Sequence, residues 1–514
     1  MDIPSASISG SFWLIVPEVV LIAAGCLFFL GAGFGRFRNY FWAEQALAVI
    51  VIAICVSLAT NGSRGMVLPE DGDKASLFRN DDFALFAKLL SLAAGGVLVM
   101  LSRLQVSARQ EAEYYGCLLF IIAGVDLVAA SNDLIGIFLA LELISIPTYV
   151  LLYLPRHDHA VQEATTKYFL LSIFSSALFL YGLSFLYGVV GSTNLAVLRT
   201  TLQQNADLGG AANLLGVAIV MIVAGLGFRI TAAPFHFYAP DVYQGVPAVC
   251  AALLSVIPKV AGFVALYSLV TSTILVHGPD VILGGHASAL FWIVALVSML
   301  VGNLLGLWQN NLQRLLAYSG VAHAGYMLVG LGAGNSAGGE FNGITALFFY
   351  LVIYGAMTVG AFAVTIYLSK PDRPVETVDD LSGLWRSHPS TAVMMAIFMF
   401  SLTGLPPTAG FWGKLGLFFA AWSSQAPLYR LLAVLMAINA AIGAYYYLRI
   451  VSVMYLRQPV KTLAPVRGRM AYLGMLTCAA VVLGLFVSPG PLWRTVERAT
   501  TPPQASVPQV AINQ

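Results

Sequence analysis

Five ionisable side chains, Glu142, Lys167, Arg229, Lys259 and Lys414, each stand inside a different long apolar run, and His236 and His323 stand in such runs as well. A charge at the centre of a membrane helix costs roughly 2.5–3.5 kcal/mol on insertion scales, so residues of this kind are retained where they line an ion or proton path. Carboxyl, ammonium and imidazole groups all exchange protons, and both burial and a neighbouring charge decide which of them is ionised. A guanidinium keeps its charge at any physiological pH, so Arg229 can bias a neighbour but cannot itself carry a proton. The chemistry these residue types offer is proton transfer along a buried row. The competing reading of each is a charge that only pairs structurally with another.

Such a row needs a scaffold without water, and the composition supplies one. Of 514 residues, 59% are hydrophobic and only 10% charged, against about 25% charged in an ordinary soluble domain. A bilayer core needs about 20 apolar residues per helix, and runs of that length recur along the chain, predicting about 14 spans. They lie near 12–33, 42–60, 83–102, 112–130, 132–154, 161–189, 211–237, 246–276, 286–306, 312–333, 342–368, 389–423, 427–456 and 468–488. The expected fold class is therefore all-α and polytopic. Counting alternate loops puts Arg36, Arg38, Arg103, Arg109, Arg156, Lys370, Arg373, Arg386, Arg457, Lys461, Arg467 and Arg469 on one side, against chiefly Arg64, Lys74, Arg79 and Arg199 on the other. The positive-inside rule then places the richer loops in the cytoplasm and both termini outside.

Other function classes are excluded on composition. A formal net charge of +2 marks no nucleic-acid partner. Cys26, Cys55, Cys117, Cys250 and Cys478 are scattered singly, with no C-x-x-C pair and no histidine at metal-ligand spacing, so neither a disulfide nor an iron–sulfur cluster is expected. No G-x-G-x-x-G opens a helix after a strand, so no nicotinamide or flavin site is expected either. The run ending at Cys26 lacks a preceding Lys or Arg and reads as a first membrane helix instead of a signal peptide. The same acidic, Arg-free start argues against an organelle transit peptide; the expected location is a bacterial inner membrane.

Two stretches interrupt the helical pattern in a related way. One runs from Gly227 through Arg229 and Pro234 to His236, the other from Thr403 through Pro406 and Pro407 to Lys414. Proline removes an intrahelical hydrogen bond, and such a break is tolerated at membrane depth only where protein or a water-filled cavity satisfies the freed groups. The breaks lie five predicted spans apart, each with a basic residue, which is the sequence sign of an inverted repeat. The expected organisation is a three-helix segment over 1–110, five-helix units over 111–278 and 279–457, and a last helix and tail over 458–514. The polar segment Asn61 to Asp82 and the tail after Pro489 read as contact or surface regions.

Four motifs then carry a resemblance. Leu139-Ala140-Leu141-Glu142-Leu143, Pro234-Phe235-His236 through Tyr243, Leu316-Ala317-Tyr318-Ser319 through Tyr326, and Gly404 to Lys414 resemble the antiporter-like membrane subunits of respiratory complex I, over roughly Glu113 to Tyr455. Within that family the N-type pattern fits best. It implies a lysine on the second broken helix, where Lys414 stands and the M-type has a glutamate, and the L-type's long lateral helix has no room after the final span. The resemblance implies about 14 helices holding one proton pathway, driven by quinone reduction elsewhere. It also implies M-type and K-type membrane-arm neighbours, contact with lipids, and quinone, FMN and iron–sulfur clusters in partner subunits but none in this chain. The alternative is a cation/proton antiporter subunit of an Mrp-type transporter, which shares the repeat and the Lys/Glu logic; a passive scaffold is a third class.

The resemblance also implies roles for individual residues. Glu142 is paired in the family with a lysine on the first broken helix, and here that position holds Arg229. The expectation is that Arg229 is a fixed charge tuning Glu142 while Lys167, on the next span, takes the titrating role; snorkelling of Lys167 from a helix end is the alternative. His236 follows the first break and suits a relay, because an unperturbed imidazole titrates near pH about 6.5. Lys259, flanked by apolar residues for a full turn on both sides, is the expected central carrier, His323 a bridge between the two halves, and Lys414 the exit-side group. Asp126 and Asp133 fall close to a predicted loop and are given a supporting part at most.

Overall fold

The computed structural model describes residues 13–33, 41–62, 76–204, 211–273, 282–334, 342–369, 374–424, 426–460 and 468–501. Among these residues the chain is all α-helical, with no strand beyond isolated bridges such as Phe78 to Ser131. Arg36, Arg38, Arg64, Lys74, Lys370, Arg373, Lys461, Arg467, most of 61–82 and the tail beyond Thr501 lie outside the described residues.

The helices that matter below are α1 (Val16–Gly33), α2 (Trp42–Gly62), α3 (Asp82–Ser102), α4 (Glu111–Ala130), α5 (Leu134–Tyr153), α6 (His159–Val190), α7 (Leu195–Gln204), α8 (Ala211–Ile230), α9 (Tyr238–Gly245), α10 (Ala248–Thr273), α11 (Ile282–Leu307), α12 (Leu312–Ala333) and α13 (Gly343–Leu368). After a short turn of helix, α14 (Leu384–Ser387), come α15 (Pro389–Thr403), α16 (Ala409–Trp422), α17 (Pro427–Leu456), α18 (Arg469–Val487) and α19 (Gly490–Thr500). Among the described residues, 13 helices are long and apolar enough to cross a membrane. The remaining predicted span, 389–423, is divided into helices of 15 and 14 residues. At about 1.5 Å per residue neither half crosses a core about 30 Å thick, so only the pair can span.

Burial sorts these helices into a centre and a periphery. The most apolar stretch of α10 is 100% buried inside the chain, that of α12 94% and that of α13 89%, whereas α1 reaches only 28% and α6 39%. Peripheral helices keep apolar outer faces because lipid tails are as apolar as their side chains, so exposure there carries no hydrophobic penalty. The central three therefore hold whatever must be kept from lipid. They carry Lys259, His323 and the tyrosines Tyr350 and Tyr354.

Both breaks are closed by hydrogen bonds within the protein. α8 ends at Thr231, whose φ of 59° lies in the left-handed region, unusual for a β-branched residue. There Ala232 N–H donates to Gly227 O at 2.8 Å, Ala233 N–H to Ser298 Oγ at 2.9 Å, and Tyr238 hydroxyl to Phe228 O at 3.0 Å. α15 ends at Gly404, φ 88°, a backbone conformation that costs glycine nothing. Its N–H donates to Phe400 O at 2.9 Å, and Leu405 N–H reaches the same carbonyl at 3.0 Å. Each break contains a cis X-Pro bond, Ala233–Pro234 and Pro406–Pro407.

Candidate proton-transfer site

Lys259 stands near the middle of α10 and is 0% exposed. Its Nζ donates to Gly320 O at 2.7 Å and to Tyr354 hydroxyl at 3.0 Å, and it lies 4.7 Å from the centroid of the Tyr354 ring. Among the described residues no carboxylate is ion-paired with it. Gly320 leaves room for this contact: a Cβ there would stand 2.8 Å from Nζ and 3.0 Å from the tyrosine oxygen, so the end of the lysine would have to shift. An ammonium held by one carbonyl and one phenol is desolvated without a counter-charge, the condition under which it can give up its proton.

From Tyr354 the polar groups continue through the core. His323, one turn beyond Gly320 on α12, packs against the Tyr354 ring with centroids 5.2 Å apart. Its Nδ1 is 2.5 Å from Tyr350 hydroxyl and its Nε2 3.0 Å from Tyr447 hydroxyl, so both ring nitrogens are engaged. Tyr447 in turn is hydrogen-bonded to Ser319. Tyr326 hydroxyl accepts from Asn303 Nδ2 at 3.0 Å, and Asn303 Oδ1 accepts from Tyr446 hydroxyl at 3.0 Å. A histidine among phenols can take a proton at one nitrogen and release it at the other.

Lys414, on α16, reaches back to the end of α15. Its Nζ donates to Leu402 O and Thr403 O, each at 2.8 Å, and lies 5.0 Å from the Tyr326 ring centroid. The last carbonyls of a helix have no partner of their own and carry partial negative charge, so a cation there satisfies the break and is held by it. Lys414 is 9% exposed.

A second polar group surrounds the first break. Glu142 Oε1 accepts from Ser176 Oγ at 2.6 Å and lies 3.3 Å from Arg229 Nη2, and Arg229 also reaches Ser176 at 3.4 Å. Arg229 is buried, while the Glu142 side chain is 26% exposed at the surface of the chain. His236 is buried within the break, and its Nδ1 finds no hydrogen-bond partner among the described residues. No direct hydrogen bond joins His236 to Lys259 or Arg229 there.

Lys167 is placed differently from the reading of its apolar run. Its side chain is 41% exposed and lies 2.6 Å from Glu163 and 3.0 Å from Asp241, not against Glu142. The reason is length. α6 has 32 residues, about 48 Å at 1.5 Å each, so its first turns extend past an apolar core about 30 Å thick. Asp241 also accepts from Arg314 at 2.7 Å, tying α6, α9 and α12 together. Burial pushes the Asp241 carboxyl up, but Lys167 and Arg314 outweigh it and hold it below its ordinary value. These residues, with Arg156, Gln244 and Glu376, line a cavity of about 410 Å³.

The family model described as "NADH:quinone oxidoreductase/Mrp antiporter, TM" matches residues 131–459. The NADH-quinone oxidoreductase subunit N of Trichlorobacter lovleyi is 40% identical over 86% of this chain and 87% of its own length.

The chain belongs to the NADH:quinone oxidoreductase/Mrp antiporter family.

A second subunit N, from Paramagnetospirillum magneticum, is 35% identical over 94% of this chain and 96% of its own. Among solved structures, a chain of respiratory complex I from Thermus thermophilus superposes with a TM-score of 0.75 at 30% identity, covering 93% of this chain and 99% of that one. A chain of the Mrp complex from Dietzia reaches 0.81 at 20% identity, covering 96% and 97%, and shares the fold. The family's matched stretch contains Glu142, Lys167, Arg229, His236, Lys259, His323 and Lys414. Sequence reasoning missed the phenols, Tyr354 bonded to Lys259 and Tyr350 and Tyr447 bonded to His323, and the Asp241–Arg314 pair. Their signal was present as tyrosines in otherwise apolar runs, but a phenol at membrane depth is also an ordinary core residue, and only packing distinguishes the two.

Proposed function

We propose that this chain is the N-type membrane-arm subunit of an NADH-quinone oxidoreductase, moving protons through its core while quinone reduction in other subunits supplies the energy. The observation that carries this reading is Lys259: a fully buried ammonium on a carbonyl and a phenol, adjoining a histidine with both nitrogens engaged. Lys259 is the central carrier, Tyr354 and His323 pass the proton toward Lys414, and Lys414 serves the exit side. Glu142 is tuned by the fixed charge of Arg229, and His236, with no direct hydrogen bond to Arg229 or Lys259, relays between that pair and Lys259 through water. Lys167 belongs at the mouth of the cavity with Asp241, where a solvated lysine exchanges protons with the outside, and not on the buried row.

FMN, iron–sulfur clusters and quinone belong to partner subunits, and this chain contributes no redox group. Its apolar outer faces suit lipid and the M-type and K-type neighbours. The matched breaks in the element order support two five-helix units over 111–278 and 279–457. Arg103, Arg109, Arg156, Arg314, Arg386, Arg449, Arg457 and Arg469 stand at or near helix ends on one face, against Arg79, Arg199, Arg430, Arg494 and Arg498 on the other. That asymmetry supports a multi-pass inner-membrane topology with the arginine-rich face cytoplasmic and both termini periplasmic.

Lys259→Met in the assembled complex, reconstituted into vesicles, tests the reading. NADH-driven acidification of the lumen is expected to be lost while the iron–sulfur subunits still co-purify. Undiminished pumping by that variant overturns the pathway. Co-purification with antiporter subunits and no iron–sulfur protein overturns the assignment to complex I.

A further inference from the structure

Outside the stretch matched by the family model, the N-terminal helices enclose a second ionisable cluster. Glu18 on α1, Lys88 and Ser91 on α3 and Asp126 on α4 are all at most 1% exposed. Lys88 Nζ lies 2.7 Å from Glu18 Oε1 and donates to Leu14 O at 3.3 Å. Ser91 Oγ is hydrogen-bonded to Asp126 Oδ1. Glu18 Oε2 and Asp126 Oδ2 are fully buried and have no hydrogen-bond partner among the described residues. Asp126 stands close to the end of α4, near the loop expected there, and is 0% exposed.

Three helix directions put the cluster at one face. Glu18 is in the first turn of α1, Lys88 in the second turn of α3 and Asp126 in the last turn or so of α4. Helix ends in antiparallel succession place all three within about 10 Å of the face where α1 begins. There Arg79 donates to Ala129 O at 3.2 Å and to Ser268 Oγ at 2.7 Å, over the end of α4. The charged groups on neighbouring helices have other places: Asp133 caps α5, Glu142 is with Arg229, and Lys259 is on Gly320 and Tyr354. Glu44 pairs with Arg103, and Arg469, Arg494, Glu497 and Arg498 are not ion-paired with Glu18, Lys88 or Asp126.

Two carboxylates and one ammonium leave a single uncompensated negative charge out of water, which is unfavourable unless a proton or cation neutralises it. Lys88 already fills the cation's position beside Glu18. We propose that this cluster binds one exchangeable proton, held on Asp126 beside Ser91 and shared toward Glu18, as a proton-holding site separate from the Lys259 row. The unpartnered oxygens are where that proton resides. Its exchange route is the short distance to the face capped by Arg79.

Infrared spectroscopy of the whole purified complex tests this, comparing wild type with Asp126→Asn before and after transfer to D₂O. The expected result is a protonated-carboxyl C=O band that shifts down in D₂O and disappears from Asp126→Asn. Lys88→Met removes the compensating ammonium and should protonate the second carboxyl, about doubling the band. A band that is absent, that does not exchange, or that survives Asp126→Asn overturns the proposal. If Asp126→Asn fails to assemble, Glu18→Gln must displace the band, and an unmoved band overturns it equally.

Discussion

Gly320→Ala removes no titratable group, yet it should impair proton transfer by displacing Lys259. A Cβ at position 320 would lie 2.8 Å from Lys259 Nζ, where ordinary contact begins near 3.4 Å, so the ammonium must retreat by a few tenths of an ångström. The bonds at stake are those to Gly320 O at 2.7 Å and Tyr354 hydroxyl at 3.0 Å. Loss of one hydrogen bond to a charged group is worth about 1.5–3 kcal/mol. At about 1.36 kcal/mol per tenfold, that alters the balance between charged and neutral Lys259 by roughly 10- to 150-fold. The assay is the initial rate of NADH-driven lumen acidification in vesicles containing the assembled complex, normalised to complex content. A fall of at least several-fold is expected. Gly216→Ala serves as the control, because a Cβ there meets nothing within 4 Å. If Gly320→Ala pumps at the control rate, Lys259 is not held as described and its place as central carrier is refuted.

Arg229→Lys should leave pumping near wild type, because a cation still faces Glu142, whereas Arg229→Gln should lose most of it; equal rates for the two in vesicles would show that this charge is dispensable. Lys414→Met strips the bonds to Leu402 O and Thr403 O and leaves two carbonyls unmet, at about 1–3 kcal/mol each. The assembled complex should melt at a lower temperature and fail to pump, and an unchanged Tm would contradict the capping role. Asp241 has a folded-state value below its unfolded one, so its contribution to stability is fully present above about pH 3.9 and lost as pH falls through the lower folded value. The Tm difference between wild type and Asp241→Asn should therefore be positive near neutrality and shrink below about pH 4; a difference that persists in acid would mean the ion pairs with Lys167 and Arg314 contribute nothing.

The chain's composition and periodicity by themselves determined that it is an all-α polytopic membrane protein, roughly where its spans lie, and where two of them break. These features are local: a run of about 20 apolar residues has one stable habitat, and proline disrupts a helix whatever surrounds it. The residue types at Arg229 and Lys414 likewise showed which break keeps a permanent charge and which holds a group that can titrate. What only the tertiary structure decided is which ionisable residues share a neighbourhood. Lys167 and Glu142 look alike in their apolar runs, yet α6 is long enough to carry Lys167 out to Asp241 while Glu142 meets Arg229. Asp126, beside a loop in sequence, is enclosed with Glu18 and Lys88 because α1, α3 and α4 converge there. Lys259 depends on a carbonyl 61 residues away. Charges interact through space over distances that a linear pattern does not encode, so apolar periodicity placed the helices and packing chose the partners.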